Sequence, residues 1–246
     1  MYINMKRKLF SLLGFLLCPV MLLSCEKKDS GRSLGNVMIL GDSYSTFEGS
    51  IPEWCAAYYT KEPTVLGVTD KKHTWWDQVL RKTDSKLVLN SSYSGSTVCH
   101  TGYSAADTAS FSFLGRFQAL REQGFFEENT IDTLIVYGGL NDQWAFSPRG
   151  EIQYDDLTEE DAYCVYPAFV MLFNSAKEAL PNARIIFILE EYLDENMKIS
   201  LRAICTHLDV EIIELGVVSK ENGHPDKNGM KETADQIIEY LKTSAK

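Results

Sequence analysis

Residues 37–46 read VMILGDSYST, in which four apolar residues are followed by Gly-Asp-Ser and then by small polar residues. A short apolar run that ends at turn residues is typical of a strand buried on both faces. Gly-Asp-Ser is common in turns and at helix starts, so Ser43 is either a helix cap or a reactive hydroxyl. The tripeptide alone does not decide between these two roles, so the evidence must come from the remainder of the chain.

Four further segments share the continuous apolar character of residues 37–40, and they lie at 86–90, 133–138, 184–189 and 211–215. Segments with the spacing of amphipathic helices alternate with them, at 75–83, 111–123, 162–180, 199–208 and 231–242. Buried strands that alternate with helices predict a mainly parallel sheet covered by helices on both sides. Because the chain has no repeats and no internal linker, residues 37–246 are predicted to form one α/β domain.

The N-terminus is typical of a bacterial export signal. A basic start, Lys6-Arg7-Lys8, precedes an apolar run over residues 9–23, which is too short for a membrane-spanning helix. Residues 22–25, Leu-Leu-Ser-Cys, resemble a bacterial lipobox, and this implies that Cys25 is lipidated and becomes the first mature residue. The alternative is an ordinary signal peptide that contains a cysteine. Residues 25–36 are predicted to be a flexible tether.

The charge of the chain limits its partners. The net charge of −10 falls to about −13 when residues 1–24, which carry three positive charges and no acids, are removed. Nucleic acid and anionic membrane surfaces repel such a domain, so we predict no nucleic-acid partner and a membrane contact through the N-terminal lipid only. This combination predicts an extracytoplasmic protein, anchored to a bacterial membrane in the periplasm or at the cell surface.

The cysteines do not indicate a metal site. Their spacing includes no Cys-x-x-Cys and no histidine pair, and zinc sites normally require one or the other. Buried free thiols are favoured over a disulfide for the four that follow the lipobox, which are Cys55, Cys99, Cys164 and Cys205.

Chemically suggestive residues follow four of the five predicted strands. Ligands of open parallel sheets bind beyond the carboxyl ends of the strands. The four segments are GDS at 41–43, NSSYSGST at 90–97, GGLND at 138–142 and ENGHP at 221–225. They offer a hydroxyl, a glycine N–H, a side-chain amide and an imidazole, which are the groups that acyl transfer needs.

These four blocks resemble those of the SGNH (GDSL-like) hydrolases, which contribute Ser, Gly, Asn and His in that order. The resemblance makes Ser43 the nucleophile and His224 the general base. It assigns the oxyanion hole to the N–H groups of Ser43 and Gly95 and to the amide of Asn141. It extends from residue 37 to about residue 240 and implies a three-layer α/β/α, flavodoxin-like sandwich around a mainly parallel five-stranded sheet. It also implies ester or thioester hydrolysis without a metal or cofactor.

Residue 221 departs from the family pattern. The last block of the family usually reads Asp-x-x-His, and the Asp orients the imidazole, whereas this chain has Glu221 at that position. A Glu can accept the same N–H, although its longer side chain changes the geometry. The alternative is a Ser–His dyad supported by a backbone carbonyl or by another acid.

Two groups of residues near the blocks have open roles. The segment between the first two strands carries aromatic residues that would form either a wall beside Ser43 for a sugar ring or acyl group, or part of the core: Trp54, Tyr58, Tyr59, Trp75 and Trp76. His100 follows the second block and either lines the cleft or has a structural role.

Together these features predict an SGNH-type serine esterase that releases short acyl groups from carbohydrate or related small esters. Two alternatives remain. One is a lysophospholipase or thioesterase of the same fold, which would prefer long acyl chains. The other is a non-catalytic glycan-binding lipoprotein, which the Glu at position 221 favours. The sequence leaves the ester and the oligomeric state open.

Overall fold

The computed structural model describes residues 33–244, whose centre is a sheet of five strands in the order β2-β1-β3-β4-β5. All neighbouring strands are parallel. The strands are β1 (Asn36–Gly41), β2 (Lys86–Ser92), β3 (Thr133–Tyr137), β4 (Arg184–Leu189) and β5 (Glu211–Glu214). This is the flavodoxin-like order, in which the chain direction across the sheet reverses between β1 and β3. The five predicted strands and their parallel arrangement are confirmed.

Helices form a layer on each side of the sheet. The longer ones are α1 (Trp75–Lys82), α2 (Phe113–Glu122), α5 (Val165–Ala179), α6 (Glu195–His207) and α7 (Lys227–Thr243). Helix α1 packs against α7, whereas α5 packs against α2 and α6. Right-handed crossovers place these two groups on opposite faces, which gives the predicted three-layer sandwich.

Short elements fill the carboxyl edge of the sheet. They are the helix α4 (Leu140–Trp144) and a small antiparallel pair, β6 (Lys220–Glu221) and β7 (His224–Pro225). The short helix α3 (Phe125–Glu128) lies at the opposite edge, between the end of α2 and the start of β3. Within residues 33–244, no helix is long and apolar enough to cross a bilayer.

Helices α6 and α7 each begin four residues earlier than their apolar spacing predicts. Asp194 and Asp226 cap them, because each carboxylate accepts a hydrogen bond from the backbone N–H three residues on, at Met197 and at Gly229. Such caps stabilise a first turn in which only one residue, Met197 or Met230, is a large apolar one. Hydrophobic periodicity alone therefore places both helix starts too late.

The ordered domain begins before the predicted boundary at residue 37. Leu34 is buried, its N–H donates to Ser85 Oγ at 2.9 Å, and Asn36 already belongs to β1. Residues 33–36 therefore pack onto the domain, and the prediction that they belong to a flexible tether is wrong. The predicted signal peptide, Cys25 and the rest of the tether lie outside the described residues.

Candidate active site

Ser43 lies directly beyond β1, in a single 3-10 turn formed by Ser43–Ser45. Asp42 caps this turn, and its carboxylate accepts the N–H of Tyr44 at 3.0 Å. A Cβ on Gly41 would lie 2.6 Å from side-chain atoms of Ser45 and Ser92, so only glycine fits where the strand turns. Ser43 is 3 % exposed, and the helix start that the sequence predicts is one turn long.

Two tryptophans hold this turn by hydrogen bonds to Ser45. The indole N–H of Trp75 donates to Ser45 Oγ at 3.2 Å, and that of Trp76 donates to the Ser45 carbonyl at 3.0 Å. Both rings are buried in the core, as is Tyr59, whose hydroxyl donates to the Pro225 carbonyl. The interpretation of these three residues as part of an exposed aromatic wall is therefore wrong, because all three are buried. The two tryptophans contact the turn that carries Ser43, and Tyr59 contacts the strand that carries His224.

His224 reaches Ser43 from the far end of the chain. Strands β6 and β7 form a hairpin whose two-residue turn, Asn222-Gly223, has positive φ angles of 52° and 78°. Asn-Gly is the favoured sequence for such a type I′ turn. The hairpin places His224 Nε2 3.0 Å from Ser43 Oγ, so these two predicted residues are in hydrogen-bonding contact.

The second imidazole nitrogen of His224 contacts a backbone carbonyl. His224 Nδ1 lies 3.3 Å from the backbone carbonyl of Asn222. Because a carbonyl oxygen only accepts, this contact selects the tautomer with hydrogen on Nδ1. Nε2 is then the acceptor for the Ser43 hydroxyl.

Glu221 does not orient the imidazole. Its backbone pairs with that of His224, but its side chain is exposed and has no hydrogen bond to the ring among the contacts of residues 33–244. The tight Asn-Gly turn brings the Asn222 carbonyl to Nδ1 instead. The prediction that Glu221 acts as the third member of a triad is therefore wrong, and the alternative of a backbone carbonyl is the observed one.

Aromatic rings fix the orientation of His224. Tyr58 stacks on the imidazole, with centroids 3.6 Å apart and planes inclined by 9°, and Tyr44 meets it edge-on at 5.3 Å.

The surroundings of His224 also shift its pKa. Burial lowers the pKa of His224 below 6.5, the nearby Lys220 ammonium lowers it further, and the Asn222 carbonyl opposes both effects. Burial and Lys220 thus both favour the neutral form of the ring.

Asn141 belongs to α4, just beyond β3, and is almost fully buried. Its Nδ2 donates to the Ser96 carbonyl at 3.1 Å, and its Oδ1 accepts the hydroxyl of Tyr103 at 2.7 Å. An amide nitrogen carries two N–H groups, and Ser96 occupies one of them. Since β1 and β3 are neighbours in the sheet, Ser43 and Asn141 follow adjacent strands at the same edge.

Gly95 lies in the turn after β2, which pairs with β1 on its other side. Its φ of +80° favours glycine, and within residues 33–244 no atom beyond its two chain neighbours lies within 4 Å of where its Cβ would be. Its neighbour Ser96 is the residue that contacts Asn141. The second and third predicted blocks are therefore joined at the carboxyl edge of the sheet.

The acid after Asn141 has a structural role. Asp142 is fully buried, and its carboxylate accepts the N–H groups of Val98 and Cys99 at 2.9 to 3.1 Å. Burial raises its pKa to about 6 against the lowering effect of these hydrogen bonds. Asp142 thus holds the loop after the second block against α4.

Sequence reasoning missed Arg116, whose guanidinium links the ends of β1 and β2 by hydrogen bonds to their carbonyls. It is 2 % exposed and donates to the carbonyls of Gly41 and Ser91 and to Ser96 Oγ. The available signal was its position in α2, where it belongs to the same buried face as Phe113 and Phe117. An arginine at a core position of a helix indicates a buried polar network.

Sequence reasoning also missed a buried ion pair at the end of β4. Glu190 follows that strand directly, and its carboxylate contacts Lys220 Nζ at 2.5 Å and accepts the hydroxyl of Tyr137 at 2.5 Å. Lys220 belongs to β6, so this pair ties the hairpin of His224 to the sheet. The signal was a charged residue directly after an otherwise apolar strand.

His100 does not lie beside Ser43 or His224. Its ring is buried, packs 5.4 Å from the ring of Tyr163, and lines a separate cavity of about 560 Å³ between α2 and α5. The interpretation of His100 as part of the cleft is therefore not supported by its position.

Comparison with known proteins agrees with this geometry. The sequence model of the GDSL-like lipase/acylhydrolase family matches residues 35–241. A protein named as a GDSL-like lipase from Bacteroides ovatus ATCC 8483 is 36% identical, with a TM-score of 0.79 over 86% of this chain and 100% of that chain. Another from Bacteroides uniformis ATCC 8492 is 40% identical, with a TM-score of 0.77 over 84% and 94%.

A more distant structure shares the fold. A family two carbohydrate esterase from Clostridium thermocellum, solved with cellohexaose, is 14% identical, with a TM-score of 0.57 over 87% of this chain and 65% of that chain. The comparison with curated proteins finds no significant match. Because the family match spans the whole sheet and all four blocks, and two relatives exceed 30% identity, the chain belongs to the GDSL-like lipase/acylhydrolase family, whose members are hydrolases of the SGNH type.

Proposed function

We propose that this protein is a serine esterase in which Ser43 attacks the acyl carbonyl while His224 accepts its proton. One observation carries the proposal, namely the 3.0 Å contact between Ser43 Oγ and His224 Nε2. That distance is within the reach required of a general base. The tautomer selected by the Asn222 carbonyl, with Nε2 as acceptor, is the one this step needs.

The remaining groups serve the tetrahedral intermediate. Its oxyanion accepts hydrogen bonds from the N–H groups of Ser43 and Gly95 and from the second N–H of Asn141. The imidazolium of His224, stabilised by the Asn222 carbonyl, then protonates the leaving alcohol. Water, activated by the same imidazole, releases the acyl group from Ser43.

Short acyl esters on carbohydrate are the proposed substrates. Three partly exposed aromatic residues adjoin the site: Tyr58 stacks on His224, Trp144 lies 6.4 Å from the same ring, and Tyr103 contacts Asn141. Aromatic faces offer flat apolar surfaces on which a sugar ring packs while its hydroxyls remain free for hydrogen bonds. This group replaces the aromatic wall expected from the sequence, and only Tyr58 is common to both.

Cys25 is the proposed point of attachment to the membrane. Lipidation there, after removal of residues 1–24, would hold the acidic domain outside the cytoplasm of a bacterial cell. The lipobox-like residues 22–25 and the basic start of the chain support this localisation.

The test is hydrolysis by purified protein of an aryl acetate and of an acetylated glycan. Wild-type protein should release acetate from both, and Ser43→Ala and His224→Ala should lose the activity. Ser50→Ala, on the same segment as Ser43, is the matched control and should retain it. No release by the wild type would overturn the esterase proposal. Preference for long acyl chains would favour a lysophospholipase or thioesterase, and glycan binding without hydrolysis a binding protein.

A further inference from the structure

Tyr103 contacts the proposed oxyanion hole from outside the four sequence blocks. It begins a single 3-10 turn, Tyr103–Ala105, in the loop between β2 and α2. Its hydroxyl donates to Asn141 Oδ1 at 2.7 Å, and the residue is 44 % exposed. The hydroxyl therefore reaches an almost fully buried amide from the rim of the cleft.

The loop that carries Tyr103 has an unusual backbone that is closed by its own contacts. Ser104 and Ala105 both have positive φ, at 57° and 56°, a conformation that is unfavourable for residues other than glycine. Thr101 pairs with Asp107, and the N–H of Gly102 donates to the Ala106 carbonyl at 2.8 Å. Strained backbone persists where the surrounding contacts impose it, and such residues cluster at functional sites.

The Asn141 amide is held at both of its polar atoms. Ser96 accepts one N–H of Nδ2, and Tyr103 donates to Oδ1, which leaves the other N–H for the oxyanion. A donor on the amide oxygen also draws electron density from the nitrogen, so the remaining N–H becomes a stronger donor.

We propose that Tyr103 is a positioning residue that orients and polarises the Asn141 amide in the oxyanion hole. This inference rests on the proposed esterase function of the same site. Since the oxyanion exists only after attack on the carbonyl, the contribution of the Tyr103 hydroxyl falls on the transition state and not on substrate binding. Its removal should therefore lower kcat and leave KM almost unchanged.

Tyr103→Phe tests this directly because it removes only the hydroxyl. We expect kcat on an aryl acetate to fall about tenfold, the size of one lost hydrogen bond, with KM within about twofold of wild type. The matched control is Tyr163→Phe. Tyr163 is 39 % exposed and its hydroxyl contacts the same loop at Asp107, but it does not reach Asn141. This control should keep wild-type kcat, and equal thermal midpoints would show that both variants fold.

A double-mutant cycle with Asn141→Ala separates positioning from direct contact with substrate. Asn141→Ala alone should lower kcat by about 10²-fold, the usual loss for one oxyanion donor, and Tyr103→Phe should then have no further effect. If Tyr103→Phe costs the same in both backgrounds, raises KM alone, or matches Tyr163→Phe in an active enzyme, the inference is overturned. An inactive wild type would overturn the proposed function, and the inference with it.

Discussion

His224 is positioned by neighbours from three separate segments of the chain. Tyr58 stacks on the ring, Tyr44 meets it edge-on and donates its hydroxyl to the Gly223 carbonyl at 2.5 Å, and Asn222 supplies the carbonyl at Nδ1. In a Ser-His-Asp triad a carboxylate performs the orienting task. Here neutral groups perform it, so in the proposed mechanism the imidazolium is stabilised by a carbonyl dipole and not by a full charge.

This arrangement predicts that Glu221 is dispensable. Its exposed carboxylate does not contact the imidazole, so Glu221→Gln should change kcat/KM by less than about twofold, as other surface substitutions do. His224→Ala, assayed beside it on the same aryl ester, should lose the activity. A loss of 100-fold or more in Glu221→Gln would mean that the carboxylate acts on the imidazole after all.

The environment of His224 also predicts the pH dependence of catalysis. Burial and Lys220 lower its pKa below the ordinary value of 6.5, and only the neutral ring accepts the proton of Ser43. The value of kcat/KM should therefore fall as the pH is lowered, with its midpoint below pH 6.5. A profile of kcat/KM between pH 4.5 and 8 measures this midpoint, and a value above 6.5 would contradict the assignment.

At the scale of elements, the site depends on buried hydrogen bonds and an ion pair that link the ends of the strands. Arg116 of α2 joins the ends of β1 and β2, and the Glu190–Lys220 pair joins β4 to the hairpin of His224. Buried charges of this kind fix geometry, because removing one partner leaves the other without compensation. The Glu190–Lys220 contact thus helps to hold His224, which lies beyond β5, at the turn after β1.

Arg116→Met should destabilise the fold by about 3 kcal/mol, because the Ser96 hydroxyl and the carbonyls of Gly41, Ser91 and Phe111 lose a charged donor in a buried site. Urea denaturation followed by circular dichroism measures the free energy of unfolding. Arg121→Met, on the same helix, is the matched control, since Arg121 is 43 % exposed in its ion pair with Glu178 and should change stability by less than about 0.5 kcal/mol. Equal stability of the two variants would contradict the bracing role of Arg116.

At the scale of the whole molecule, the reversal of strand order between β1 and β3 determines where the site lies. Ser43 follows the first of these strands and Asn141 the second, in the crevice where doubly wound sheets bind ligands. This placement follows from alternating buried strands and helices, which is why the fold could be predicted from the sequence. The pairing of Ser43 with His224 was implied by the resemblance of the four blocks to the SGNH hydrolases.

Other parts of the site could not be predicted, for physical reasons. The contacts of Arg116 and Lys220 span 75 and 30 residues along the chain, and no local pattern encodes such pairings. The roles of Trp75 and Trp76 stayed open between a binding wall and the core, because composition does not say which face of α1 is buried. At Glu221 the family pattern suggested a carboxylate, whereas the Asn-Gly turn beside it decided the geometry.

The proposed lipid anchor gives a prediction for the complete chain. Full-length protein expressed in a bacterium should partition into the detergent phase of a Triton X-114 extract, because its N-terminal acyl chains are apolar. Cys25→Ala should move the protein to the aqueous phase, and Cys55→Ala, a matched cysteine change inside the domain, should not. Equal partitioning of wild type and Cys25→Ala would contradict lipidation at Cys25.

Ser43 as the nucleophile is the central claim, and covalent labelling tests it most directly. A fluorophosphonate probe reacts only with an activated serine, so intact-mass and peptide mass spectrometry should show one adduct per chain, on Ser43. Labelling should disappear in Ser43→Ala and persist in Ser50→Ala. An unlabelled wild type, or an adduct that persists in Ser43→Ala, would contradict the account.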